Sequence, residues 1–159
     1  MIYKELFKVL HDAKVRYVIT GGLAVNLYGI SRMTADIDLV VDFEKENLAL
    51  FENAMKQMGY VTALPIPLSS LLPDVERKRL IKEKNLIAFS FHHTKAGYVN
   101  VDVLVDVPMP FEELWKTRSM RAINGFKIYI VSKDALIQMK EYSNRIQDKK
   151  DAELLRKLK

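Results

Sequence analysis

Cysteine is absent from the 159 residues, and that excludes disulfides, thiolate zinc sites, iron–sulfur clusters and cysteine nucleophiles together. A reducing cytoplasm is the compartment this composition suits. Long apolar runs are missing as well. Arg16 and Arg32 bracket the longest uncharged stretch, which contains Gly21, Gly22 and Gly29 and falls short of the roughly 18 apolar residues of a membrane span. The first residues, Met1-Ile-Tyr-Lys-Glu-Leu-Phe7, carry no apolar core or small-residue cleavage site, so neither secretion nor a membrane partner is expected. Neither G-x-x-x-x-G-K-[ST] nor G-x-G-x-x-G occurs, which removes both common nucleotide fingerprints.

What is present is the composition of one folded domain spanning residues 1–159, with 49% hydrophobic and 28% charged residues. Lysine and arginine number 25 against 20 acidic residues, a net charge of +5. That excess suits an anionic partner such as a nucleotide or RNA, and equally suits a solvated lysine-rich face.

Periodicity gives an alternation of helices and strands. Ile2, Leu6, Val9 and Leu10 form one helical stripe; Val15–Thr20 is a short strand broken by Gly21-Gly22; Leu23–Tyr28 is a buried helix stopped at Gly29. Asp36–Val41 is a strand, and Lys45–Met58 a helix ending at Gly59. Pro65, Pro67 and Pro73 make Ala63–Pro73 a loop, either a flap over a ligand or an inert connection. Leu86–His92 and Tyr98–Val105 pair as strands, with His92-His93 at a surface turn rather than in a zinc site. A helix over Phe111–Lys116 packs Trp115 on the core, Asn124-Gly125 turns a hairpin, Ser132 caps a helix to Tyr142, and a charged helix runs from Gln147 to Leu158. The expected class is α/β, with a mixed sheet flanked by helices.

The chemistry concentrates in Thr20-Gly21-Gly22, thirteen residues, and Asp36-Ile37-Asp38-Leu39. Side chains alternate along a strand, so Asp36 and Asp38 share one face about 7 Å apart, a spacing that suits one or two divalent cations. A glycine pair opening a helix lets backbone N–H groups approach a phosphate closely, with Thr20 or the backbone adding hydrogen bonds. Separately, each half is also what a tight turn and a solvated strand edge look like; the order strand, Gly-Gly, helix, strand with D-x-D is what points to a site.

This pattern resembles the signature of the DNA polymerase β-type nucleotidyltransferase superfamily. Ala24, Arg32, Thr34 and the run Arg32-Met-Thr-Ala-Asp-Ile-Asp38 are similar to its small prokaryotic branch, which includes minimal nucleotidyltransferases and AbiEii-type toxin enzymes. The segment Val131–Lys140 with Arg145 and Lys149-Lys-Asp151 is similar to the end of those proteins. The resemblance implies a single-domain nucleotidyltransferase fold with the carboxylates at an open edge of the sheet. It implies that Gly21 and Gly22 hold a triphosphate, while Asp36 and Asp38 ligate magnesium, with manganese as the alternative ion. A third carboxylate is expected on a later strand, where Asn100, Asp102, Leu104 and Asp106 share one face and the valines the other; Asp102 is favoured over Asp106. Arg32, Lys140, Arg145 and Lys149 would meet phosphates, although lysines at helical spacing also pair with nearby Asp148 or Asp151.

The activity implied is magnesium-dependent transfer of a nucleoside monophosphate from a nucleoside triphosphate to an acceptor: RNA, a protein or a small molecule. The alternatives are a catalytically silent binding module of this fold, such as one half of a toxin–antitoxin pair, and a general RNA-binding domain.

Overall fold

The computed structural model describes residues 2–159; Met1 and the side chain of Ile2, which the first helical stripe includes, lie outside the described residues. Helix α1 spans Ile2–Asp12, β1 Tyr17–Ile19, α2 Gly21–Leu27, β2 Asp36–Val41, α3 Lys45–Gln57 and β3 Tyr60–Thr62. A 3-10 turn over Leu68–Leu71 leads to α4 (Asp74–Lys84), then β4 (Ala88–His93), β5 (Asn100–Leu104), α5 (Phe111–Thr117), β6 (Ser119–Ile123), β7 (Phe126–Ile130), α6 (Lys133–Ser143) and α7 (Ile146–Lys157).

The local signals act where the sequence places them. Glu44 caps α3 by accepting from Asn47 N at 3.1 Å, and Ser132 caps α6 by accepting from Ala135 N at 3.2 Å. Asn124 and Gly125 both take positive φ, which matches the twist of the β6–β7 hairpin they join.

All seven strands form one mixed sheet in the order β3-β4-β5-β2-β1-β7-β6. β2 runs antiparallel to β1 and parallel to β5. Its Ile37, Leu39 and Val41, with Val101, Val103, Phe89 and Phe91 of the neighbouring strands, turn into a continuous core with α1 and α3. Buried Asn47 ties the start of β1 to the end of β2: its Oδ1 accepts from Arg16 N at 2.7 Å, and its Nδ2 donates to the carbonyls of Arg16 and Asp42. The opposite face, bearing Asp36, Asp38, Asn100 and Asp102, carries the chemistry.

Two expectations need correction, and two elements are new. The carboxylate strands β2 and β5 are interior strands, not an open edge, because β3 and β4 extend the sheet beyond them. The proline-rich loop is no flap over that face: Leu68 and Leu71 are fully buried in the core, and Pro65 and Pro67 line a separate groove with Lys56 and Tyr60. The segment after Pro73 forms α4, which buries no residue completely, and β3 pairs with β4 although only three residues long.

Candidate active site

Thr20 N donates to the carbonyl of Asp38 at 2.9 Å, which sets the turn after β1 against the middle of β2. The chain then enters α2 through Gly21 at φ +62°, a conformation that favours glycine. Any side chain at Gly21 would strike Asp38, since its Cβ would fall 1.8 Å from Asp38 Oδ2. Gly22 is constrained by space alone, with Thr34 Oγ1 2.7 Å and Arg32 Cζ 3.5 Å from the position of a Cβ. The glycine pair therefore exists because a carboxylate lies on one glycine, and a hydroxyl and a guanidinium lie on the other.

Parallel pairing of β2 and β5 places Asp38 opposite Asp102 and Asp36 opposite Asn100. Burial, and next the charge of Asp102, push the Asp38 carboxyl up to about 6; Lys140 and Arg145 offset this only in part. Asp38 and Asp102 line a cleft of about 580 Å³, together with Gly21, Lys140 and Arg145. The cleft continues past Leu104 to Asp106, which accepts a hydrogen bond from Tyr142 at 2.8 Å. Thr20 borders the cleft but is 1% exposed, and its hydroxyl donates to Met139 Sδ at 3.5 Å. Asp36 stands one step back on the same strand face, outside the cleft lining. Among the described residues, no three Asp, Glu or His side chains converge closely enough to hold a metal ion by themselves.

The basic residues form a network that the sequence only hinted at. Lys140 is 5% exposed, and its Nζ donates to Asp148 Oδ1 at 2.6 Å and to Asp151 Oδ2 at 3.0 Å. Arg32 Nη1 donates to the same Asp151 oxygen, and Arg145 Nε donates to Asp148 Oδ2 at 2.7 Å. Burial would raise the Asp148 carboxyl, but hydrogen bonds from Lys140, Ser143 and Arg145 outweigh it and hold the group down at about 2. Both aspartates are 1% exposed. Lys149 is exposed, outside the cleft lining and without a carboxylate partner among the described residues. Asp148 and Asp151 are the residues that sequence reasoning treated only as neutralising neighbours. The available signal was an acidic pair three apart on a charged helix, three residues beyond an arginine and eight beyond a lysine.

A family model described as aminoglycoside-2''-adenylyltransferase matches residues 3–155. The chain belongs to this family. It is thereby an enzyme of the nucleotidyltransferase class. Solved structures share the fold. The lincosamide antibiotic adenylyltransferase LnuA with lincomycin bound superposes with a TM-score of 0.63 at 18% identity, covering 98% of this chain and 97% of that one. ANT(2'')-Ia in complex with adenylyl-2''-tobramycin gives 0.59 at 15% identity, over 96% of this chain and 84% of that one. An antigenic nucleotidyltransferase-like protein from Paracoccidioides brasiliensis gives 0.57 at 15% identity, over 97% of this chain and 72% of that one. A sequence comparison with curated proteins finds no match. No helix among the described residues is long and apolar enough to cross a membrane.

Proposed function

We propose that this family member transfers the adenylyl group of ATP to a hydroxyl of a small molecule, in the cleft between the β2–β5 carboxylates and α6. The observation that carries this reading is the stacking of Gly21 on Asp38 with Asp102 in register beside it, a phosphate-accessible turn directly against two facing carboxylates. A silent binding module has no use for that repulsion, which Lys140 and Arg145 offset only in part.

The donor set fits magnesium. Asp38 and Asp102 offer hard carboxylate oxygens, Asp36 supports them from the same face, and a pair rather than a closed cage suits an ion that keeps waters and shares substrate phosphates. Manganese fits the same donors. When bound, the ion supplies charge neutralisation at the phosphates and acidifies a nearby hydroxyl.

The protein's own residues do the rest. Backbone N–H groups at Gly21 and Gly22 hold the triphosphate, with Arg32, Lys140 and Arg145 beside them. Thr20 contributes through its backbone, since its hydroxyl is directed at Met139. The acceptor hydroxyl oxygen attacks the α-phosphorus, the bond from that phosphorus to the bridging oxygen breaks, and pyrophosphate departs. Asp102 takes the hydroxyl proton, because it lies between Asp38 and the outer cleft of Leu104 and Asp106. This reading leaves Asp106 out of the metal set, on the grounds that it lies beyond the end of β5 and accepts from Tyr142.

The acceptor of this reading is a small molecule, as it is for the enzymes whose complexes are named above, rather than RNA or a protein. The test is incubation with magnesium-ATP and either tobramycin or lincomycin, following pyrophosphate release and the mass of the acceptor. A nucleotide-dependent adenylylated product is expected from at least one. ATP bound without any transfer would instead favour the silent module, and no magnesium-dependent ATP binding would sink both.

A further inference from the structure

We propose that Asp151 is a positioning residue: one buried carboxylate on α7 aims two cations, Arg32 and Lys140, at the phosphate end of the cleft. The inference rests on the adenylyltransferase reading only for the name of the anion; the geometry calls for a polyphosphate.

Arg32 lies in the loop between α2 and β2, 119 residues from Asp151. Its guanidinium lies over the glycine turn, with Cζ 3.5 Å from the place of a Gly22 Cβ. Only Nη1 is bound to a carboxylate, so Nε and Nη2 keep their hydrogens free of any partner among the described residues. Lys140 reaches the cleft from α6, and its ammonium shares the Asp151 Oδ2 that Arg32 holds. Gln147 Nε2 donates to the other oxygen at 3.0 Å, which fixes the plane of the carboxylate. Asp151 thus joins the α2–β2 loop to the C-terminal helices through a contact that uses charge on both sides.

Arg32, Lys140 and Arg145 share the two carboxylates of Asp148 and Asp151, and Lys140 and Arg145 also partly offset the charge of Asp38 across the cleft. A lysine carries three donors and an arginine five, and the two carboxylates use only part of them. The spare donors of Arg32 sit beside the glycine turn. Asp151 also prevents Arg32 and Lys140 from swinging into solvent, so the entropy of ordering them is met before an anion arrives.

The test is calorimetric binding of inorganic tripolyphosphate, and of magnesium-ATP, to the wild type, Asp151→Asn, Asp151→Glu and Leu155→Ala. Leu155 is fully buried one turn further along the same helix, makes no ion pair, and serves as the control for lost stability. Asp151→Asn should weaken tripolyphosphate by about 10- to 100-fold, the size of a charge-assisted hydrogen-bond loss, and Asp151→Glu should recover part of it. Leu155→Ala should lower the melting temperature yet stay within about twofold of wild-type affinity. Unchanged affinity in Asp151→Asn overturns the proposal, and so does an equal loss in Leu155→Ala or a wild type that ignores tripolyphosphate. If tripolyphosphate binds in an Asp151-dependent way while no acceptor is adenylylated, positioning stands and the adenylyltransferase reading falls.

Discussion

Replacing Asp38 by Asn should make the ligand-free protein more stable while removing its affinity for magnesium-ATP. Asp38 is partly buried opposite Asp102, and the two raise its titration from 3.8 to about 6. Keeping it ionised at pH 7.5 therefore costs the folded state about 2–3 kcal/mol relative to the unfolded chain. Because the folded value is the higher one, the folded state gains from this group below pH 3.8, and that gain is lost as pH rises through 6. The amide carries no charge, so Asp38→Asn should gain about 1–3 kcal/mol at pH 7.5, after allowing for relaxation around the site. In a chain of 159 residues that is a rise of roughly 2–4 °C in melting temperature for each kcal/mol. By pH 4.5 the advantage should shrink to about 1 kcal/mol, since the folded state then holds the proton and what remains is the ionisation of the unfolded chain just above pH 3.8. Saturating magnesium-ATP should close or reverse the gap: ligand at a hundred times its Kd adds about 2.7 kcal/mol to the wild type and little to the mutant. Thermal melts from pH 4.5 to 8, with EDTA and then with magnesium-ATP, measure all of this. If the mutant is no more stable than wild type at pH 7.5, or shows an advantage independent of pH, the charge-strain argument is wrong.

Two further perturbations probe the same site. Gly21→Ala forces a side chain into the Asp38 carboxylate from a left-handed backbone, so magnesium-ATP affinity should drop at least about tenfold and stability by about 1–3 kcal/mol. A calorimetric Kd within twofold of wild type would count against the stacking of the turn on Asp38. Asp148→Asn strips Lys140 and Arg145 of a buried partner and should cost about 3–5 kcal/mol at pH 7, read by urea unfolding. The folded value of Asp148 is depressed to about 2, so its contribution is present above pH 3.8 and fades as pH falls toward 2. The mutant's acid-unfolding profile should be flatter in that window, and an identical acid limb in both proteins would refute the assignment.

The glycine pair and the D-x-D strand were legible because each rests on a local rule. Left-handed φ needs glycine at position 21, and alternation puts Asp36 and Asp38 on one face whatever surrounds them. Helix α4 escaped notice because Asp74–Lys84 buries none of its residues completely, leaving no strong apolar stripe to read. Strand β3 escaped because three residues are too few to show a period, and pairing with β4 decides their state. The proline loop invited a flap, yet Leu68 and Leu71 anchor it in the core, since apolar area outweighs the irregular backbone around it.

The sequence by itself determined the element types other than α4 and β3, the cap at Ser132, the hairpin at Asn124-Gly125 and the residue types of the site, since propensity, capping and alternation act over a few positions. The tertiary structure alone decided that Asp102 faces Asp38, that β2 and β5 lie inside the sheet, and that Lys140 is sunk between Asp148 and Asp151. Strand order and register depend on which distant segments share a core, and a one-residue slip would have turned every carboxylate to the other face. A lysine on a charged helix looks the same in sequence whether solvated or buried. Only the packing of α7 against α6 surrounds this one with two carboxylates and turns it toward the glycine loop.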